Sequence, residues 1–346
     1  MYPVKSYAVT APEKPLAPFA FERRGLGPKD VLIDIQYCGI CHSDIHQVRN
    51  EWGGSMYPMV PGHEIAGIVA EVGSAVKKFR PGDRAGVGCM VDSCRTCPDC
   101  KEGEEQYCGH PVFTYNSYEK DGKTIAQGGY STRIVVNEDF VLRLPKDLPM
   151  QALAPLLCAG ITTYSPLCHW HAGPGKTVGV IGLGGLGHMA VKIAKAMGAN
   201  VAVLSRSRNK EADAKRLGAD QYYATAEAGT FEKLARTFDL IICTVSTGID
   251  WNQYLATLKR DGTMVILGVP STPQPVHAMN LIFGRHCLAG SLIGGIRQTQ
   301  EMLDFCAKHK IVSDIELIPA QKINEAYERV LKGDVKFRFV IDMATM

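Results

Sequence analysis

Four cysteines, Cys94, Cys97, Cys100 and Cys108, stand within fifteen residues at the spacing C-x2-C-x2-C-x7-C. One short loop with that spacing can wrap four thiolates around a tetrahedral Zn²⁺, an ion that favours such soft ligands. A four-thiolate site has no open coordination position, so its metal would stiffen a lobe, about residues 89–112, and perform no chemistry. A rubredoxin-like iron site and a disulfide knot are the competing readings. Disulfides require an oxidising compartment, and the remaining cysteines are scattered. The opening stretch MYPVKSYAVTAPEKP also lacks the apolar run of a secretion signal.

A second set of metal-binding side chains is dispersed. Cys41 lies in Cys38-Gly-Ile-Cys41-His42-Ser43-Asp44-Ile-His46, His63 in Pro61-Gly62-His63-Glu64, and Cys158 in Pro155-Leu-Leu-Cys158-Ala-Gly160. Two thiolates and one imidazole would hold Zn²⁺ and leave a fourth position for water or a substrate oxygen, as a catalytic site requires. Each alone also reads as a buried thiol or a core histidine, and spacing does not join them.

A third group is suited to a dinucleotide. Gly182-Leu183-Gly184-Gly185-Leu186-Gly187 follows the strand-like KTVGVI and opens a helical period. Glycines there permit a tight turn and close approach of a pyrophosphate, whose charge meets amides at the helix N-terminus. About twenty residues on, an NAD site places a carboxylate against the adenosine ribose. This chain instead reads Ser205-Arg206-Ser207-Arg208-Asn209-Lys210, with no acid and three bases. That composition favours NADP(H), whose 2′-phosphate suits charge-assisted hydrogen bonds. A solvated basic helix start is the bland alternative.

The elements that must position these groups fall into two textures over 346 residues, a length of about two domains. The first part is rich in Gly and Pro. Val31–Ile35, Ile65–Val72 and residues 134–136 read as short strands of an antiparallel, barrel-like β domain. From Lys176, apolar strands alternate with helical periods, which predicts a doubly wound parallel sheet. A tail from residue 294 carries helical periods at Thr299–His309 and Ile323–Leu331 and ends in a strand near Phe337–Ile341. The predicted division is therefore 1–152, 153–293 and 294–346, with the tail returning to the first domain. A cleft between the domains is the expected ligand site. Lys and Arg total 38 against 35 for Asp and Glu, so no nucleic-acid or acidic partner is advertised. No apolar run reaches membrane-spanning length. Twelve cysteines without a signal predict a reducing cytoplasm.

Together these motifs resemble the zinc-dependent medium-chain alcohol dehydrogenases, and within them the cinnamyl alcohol dehydrogenase group. Gly62-His63-Glu64-x2-Gly67-x5-Gly73-x2-Val76 matches the superfamily zinc signature. CGICHSDIH, the cysteine lobe, PLLCAGITTYSPL and GLGGLGH follow in the matching order. Tyr115-Asn116 and Gln127-Gly128-Gly129-Tyr130 resemble the cinnamyl group in particular. The resemblance covers nearly the whole chain.

The resemblance implies a GroES-like β-barrel catalytic domain with a Rossmann cofactor domain, two Zn²⁺ per chain and a homodimer. It assigns Cys41, His63 and Cys158 as catalytic zinc ligands, Glu64 as a carboxylate that assists ligand exchange, and Asp44 as the partner fixing the His63 ring. His42, Thr162, Thr244, Gly268, Ser291, Leu292 and Ile293 would join the glycine loop and Ser205–Lys210 around the cofactor. Ser43 and His46 would relay the substrate proton, a task that suits the near-neutral titration of histidine. Zinc would act as a Lewis acid while NADPH reduces an aldehyde. Gln47, Trp52, Cys89 and Phe113, with Leu292 and Ile293, would border the substrate. Their apolar character favours aromatic and aliphatic aldehydes, although Trp52 and Phe113 equally read as packing residues. The competing functions are a zinc polyol or amino-alcohol dehydrogenase and a non-catalytic NADPH-binding protein.

Overall fold

In the computed structural model, which describes every residue except Thr247 and Ser271, the chain enters through an antiparallel hairpin. Its strands are β1 (Tyr2–Ala8) and β2 (Ala17–Arg23). The central strand is β3 (Asp30–Gly39), whose run of Val, Leu and Ile suits a strand buried on both faces. It pairs antiparallel with β4 (Ile65–Val72) along one edge. Its other edge is shared: β8 (Arg133–Asn137) takes residues 30–34, and the last strand of the chain takes residues 37–39. Beyond β4 lie β5 (Arg84–Val87) and β9 (Leu142–Arg143). A small side ribbon, β6 (Met90–Asp92) with β7 (Val112–Phe113), brackets the four-cysteine segment.

The other sheet has six strands, all parallel: β10 (Thr177–Ile181), β11 (Asn200–Ser205), β12 (Gln221–Ala224), β13 (Phe238–Cys243), β14 (Leu258–Ile266) and β15 (Cys287–Gly290). Their order is β12-β11-β10-β13-β14-β15, the doubly wound arrangement in which the chain reverses direction at β10. Val201–Leu204 is entirely buried, as expected where helices cover both faces. Ile181, Leu204, Phe238, Ile241, Leu255, Leu258 and Met264 form the packed core. Truncating a side chain as buried as Phe238 costs about 3–5 kcal/mol. β12 and β15 were not evident as strands in the sequence. β15 is one edge of the sheet, and its Cys287 is exposed.

The chain closes with β16 (Ile315–Pro319) and β17 (Arg338–Asp342). β17 pairs antiparallel with β3, so the tail joins the first sheet, and β16 pairs parallel with β17. That pair is the departure from the antiparallel expectation. By their internal contacts the residues form two units, Met1–Cys158 with Gly294–Met346, and Ala159–Ile293. The first crossing thus lies between Cys158 and Ala159, a few residues beyond the position read from composition. The helix Ile296–His309 starts against the cysteine lobe: its first N–H donates to Glu105 Oε2 at 3.0 Å, and Arg297 donates to the Glu102 carbonyl. A carboxylate at a helix N-terminus satisfies an otherwise unpaired amide.

Candidate active site

The lobe is built locally. Cys97 caps the short helix Pro98–Glu102, which starts at a proline suited to the first helical position, and its sulfur accepts from Cys100 N–H. Cys94 Sγ accepts from Cys97 N–H at 3.3 Å, and Cys108 Sγ accepts from Cys94 and His110 N–H. The four sulfurs lie within 4.8 Å of one another. Amides aimed at sulfur favour thiolate, and the N–H groups of Thr96 and Cys97 pull the Cys94 thiol down to about 5. Cys97 also receives an amide, from Cys100, yet burial and its neighbouring thiols push it up to about 12. Four crowded thiols cannot all ionise without a cation among them. These are the donors and crowding that fit Zn²⁺.

The second cluster is assembled by the tertiary fold. Cys41 precedes the helix His42–Val48 and stands just after β3. His63 and Glu64 precede β4, and Cys158 follows a buried 3-10 turn, Ala154–Leu157. One ligand atom from each of Cys41, His63, Glu64 and Cys158 lies within 4.8 Å of the others, and all four residues are buried. The two sulfurs are 3.9 Å apart. His63 Nδ1 is 3.0 Å from Asp44 Oδ1, which fixes that nitrogen as the donor and leaves Nε2 to ligate. Burial alone would lower the His63 pKa, but Asp44 beside it raises it well above the ordinary value. The hydrogen bond between the two thiols pulls Cys41 well below the ordinary thiol range and pushes Cys158 well above it. One proton thus stays between the two sulfurs unless a cation replaces it, and two thiols with one imidazole fit Zn²⁺.

Arg338, at the start of β17, is the residue the sequence reading missed. Its buried guanidinium bonds Glu64 Oε1, and the other carboxylate oxygen, Oε2, is buried without a partner among the described residues. Burial pushes Glu64 up to about 7 although Arg338 opposes the rise. A signal was present: one arginine opening an apolar strand needs a buried anion. Glu64 therefore has one oxygen held and one free beside the cluster, consistent with its expected role in ligand exchange.

Around this cluster, Ser43 Oγ is 3.7 Å from Cys41 Sγ. His46 bonds Glu51 through Nδ1 and packs against Trp52, with ring centroids 4.8 Å apart. The His42 ring, exposed, is 6.1 Å from that of His46. Cys89 hydrogen-bonds with Cys158, which lowers its thiol pKa. Gln47 accepts from Asn116 Nδ2 at 2.5 Å. Trp52 and Phe113 are more than a third exposed, so neither is core.

In the second unit the glycine loop joins β10 to the helix Gly187–Ala196. A Cβ on Gly187 would stand 2.1 Å from the Gly182 carbonyl oxygen, so only glycine permits this turn. Thr244 Oγ1 donates to the Ile181 carbonyl at 2.8 Å and backs the loop. Thr162 Oγ1 is buried without a partner among the described residues, an orphan polar atom that a ligand would satisfy. At Gly268 an added Cβ would come within 2.6 Å of the Val245 carbonyl oxygen. Ser291 N–H donates to the Ile266 carbonyl, Leu292 is exposed, and Ile293 has φ +36°.

Past the end of β11, at Ser205, the basic residues diverge. Lys210 Nζ donates to the Leu183 carbonyl at 3.0 Å, which brings it to the glycine loop. Arg206 and Ser207 are exposed. Arg208 is already engaged: Nε and Nη2 reach both oxygens of Glu227 at 2.6 and 2.7 Å, and Nη1 reaches Glu211 at 3.0 Å. Arg208 is thus paired with two carboxylates, whereas Arg206 has no ion-pair partner among the described residues. The glycine turn, the helix start and the absence of an acid at Ser205 fit a phosphorylated dinucleotide.

A parallel-sheet unit with a glycine turn, joined in one chain to a mixed β unit carrying two cysteine clusters, defines a zinc-binding dehydrogenase. Residues 27–146 match the alcohol dehydrogenase GroES-like domain and residues 185–308 the zinc-binding dehydrogenase domain, so the chain belongs to the zinc alcohol dehydrogenase family. It is 59% identical to NADP-dependent alcohol dehydrogenase C 1 of Mycolicibacterium smegmatis, over 100% of this chain and 99% of that one. It is 54% identical to aldehyde reductase YahK of Escherichia coli, over 99% of each. Its structure matches a cinnamyl alcohol dehydrogenase of Sorghum bicolor with a TM-score of 0.96 and 46% identity, over 99% of this chain and 98% of that one.

Proposed function

We propose that this chain is an NADP(H)-dependent zinc alcohol dehydrogenase that interconverts primary alcohols and aldehydes and works chiefly as an aldehyde reductase. The observation that carries this reading is the buried Cys41–His63–Cys158 cluster with Ser43 beside it and Asp44 fixing the imidazole. A Zn²⁺ held there would supply Lewis acidity toward a carbonyl or alcohol oxygen. Cys41, His63 and Cys158 would hold it, and Glu64, whose Oε2 has no partner among the described residues, would assist ligand exchange. Ser43 holds the substrate oxygen by a hydrogen bond, and His46 passes the proton between Ser43 and solvent. Glu51 orients the His46 ring in that task.

The names of the two curated relatives support NADP(H) as cofactor and aldehyde reduction as a direction. Arg206, Ser207 and Lys210 with Ser205 take the 2′-phosphate, and Thr162 meets the nicotinamide end. Trp52 and Phe113 offer apolar surface to hydrophobic aldehydes. We further propose a homodimer through the edge strand β15, which follows exposed Met279, Ile282 and Phe283 in sequence. We also infer a cytoplasmic location, which two sites that need reduced thiols support; no helix among the described residues is long and apolar enough to cross a membrane.

A steady-state panel of cinnamaldehyde, benzaldehyde, butanal, sorbitol and threonine, run with NADP(H) and NAD(H), tests the reading. Cinnamaldehyde and benzaldehyde with NADPH are expected to give the highest kcat/KM. A maximum with sorbitol or threonine, or equal use of NADH, would overturn it.

A further inference from the structure

The motif Gln127-Gly128-Gly129-Tyr130 has no part in metal, substrate or cofactor binding as described above, yet it is bonded throughout to the segment that delivers His63. Gln127 Oε1 accepts from Val60 N–H at 2.6 Å, and its Nε2 donates to the Pro58 carbonyl at 3.0 Å. Gly128 N–H donates to the Val60 carbonyl, Gly129 N–H to Gly62 and Tyr130 N–H to Pro61, at 2.6, 2.8 and 2.9 Å. Residues 127–130 thus lie along residues 58–62 as a strap. Behind the strap, the buried Arg23 donates to the carbonyls of Gln127 and Gly128 and to Ser131 Oγ.

The strap reaches the imidazole by two further contacts. Gly62, immediately before His63, has φ +104°, and an added Cβ there would stand 2.5 Å from the Tyr130 ring. The ring therefore packs directly under the turn that aims His63. At its far end, Tyr130 OH donates to Asp44 Oδ2 at 3.3 Å. Asp44 is fully buried and also accepts from Cys41 N–H at 2.9 Å, Gly62 N–H at 3.1 Å and His63 Nδ1. Its two oxygens thus receive four donors, which fills a carboxylate's capacity. Tyr327 OH, from the helix Ile323–Leu331, donates in turn to Tyr130 OH at 3.3 Å. A buried chain Tyr327–Tyr130–Asp44–His63 results, and hydrogen bonds in such chains polarise one another.

We propose that Tyr130 is a positioning residue for the catalytic metal: through Asp44 and the Gly62 turn it holds the His63 ring in the orientation that ligates. Tyr327 reinforces it from the C-terminal segment. The inference rests on the assignment of His63 as a ligand. A carboxylate that loses one of its donors can rotate, and the imidazole bonded to it loses its fixed orientation.

The test is zinc release from the holoenzyme to excess EDTA, followed with a colorimetric zinc dye. Cys158→Ser identifies which phase belongs to the catalytic ion, and the phase of the four-cysteine lobe serves as internal control. Tyr130→Phe deletes one hydroxyl and keeps the ring under Gly62. It is expected to speed the catalytic phase about tenfold, leaving the lobe phase at the wild-type rate. Tyr327→Phe is expected to speed the catalytic phase about twofold, and it decides the matter if Tyr130→Phe is not recovered folded. Equal acceleration of both phases, or a catalytic phase at the wild-type rate in the folded variant, overturns the proposal. If Cys158→Ser itself retains both zinc ions, the ligand assignment fails and not the strap alone.

Discussion

Cys94, Cys97, Cys100 and Cys108 come from one loop and receive backbone amides from that same loop, whereas Cys41 and Cys158 meet at 3.9 Å across 117 residues of sequence. The first cluster is partly open to solvent at three of its four cysteines. The second is buried at every ligand and is flanked by charged groups of both signs, Asp44, Glu64 and Arg338. Where a metal only has to be held, thiolates and amides suffice, and a short segment can supply them. Where a coordination position must stay usable, the ligands need orientation from outside and a carboxylate with a free oxygen. Burial makes those charges effective, and it also requires a partner for each.

The largest effect that would sharpen this contrast comes from removing one thiolate at the buried cluster. Cys158→Ser is expected to lower kcat/KM by at least about 10³-fold and to remove one zinc per chain, with the fold retained by circular dichroism. Turnover near the wild-type level would break the assignment. Next in size is His46→Gln, which alters proton movement but no ligand. Steady-state rates at pH 7 should fall by about 10–100-fold, while metal analysis still finds two zinc ions. A zinc loss in this variant would mean that His46 supports the metal and not the proton.

Cys97→Ser strikes the other cluster. Its melting temperature is expected to fall by about 5–10 °C, with kcat at 25 °C within about twofold of wild type in the folded fraction. A selective loss of kcat without loss of stability would erase the distinction between the two sites. The smallest effect is at Arg95, between two lobe cysteines. It bonds Asp92 at 2.8 Å and Asp139 at 3.0 Å and lies over the Phe140 ring. These ion pairs are partly exposed, so Arg95→Ala should cost about 0.5–1 kcal/mol. The corresponding drop in melting temperature, about 1–3 °C, should shrink in high salt, as scanning calorimetry at two ionic strengths would show.

Much of this was legible in the residues. The strand-like KTVGVI contains β10 (Thr177–Ile181), and the helical period Ile323–Leu331 has the ends of the observed helix, because each is a continuous apolar or amphipathic run whose burial dictates its state. β12, four residues with two tyrosines, and β15, an exposed edge, carry weak patterns and exist because a neighbouring strand offers hydrogen bonds. Pairing of that kind is a tertiary fact. The basic run Ser205–Lys210 shows the same limit at side-chain level. Its composition is plain in the sequence, but only folding brings Glu227 onto Arg208.

By itself the sequence determined what local geometry controls: the cysteine lobe, whose ligands and amides lie within one loop, and the glycine turn, where an added Cβ on Gly187 would meet the Gly182 carbonyl. It also determined the alternation that builds the parallel sheet. Tertiary structure alone decided the long-range electrostatics. It paired Arg338 with Glu64 across 274 residues, left the second Glu64 oxygen unpaired, and ran a hydrogen-bond chain from Tyr327 to His63. Buried charge and hydroxyl groups acquire partners only when distant segments exclude water together, so no window of sequence contains both ends of such a bond.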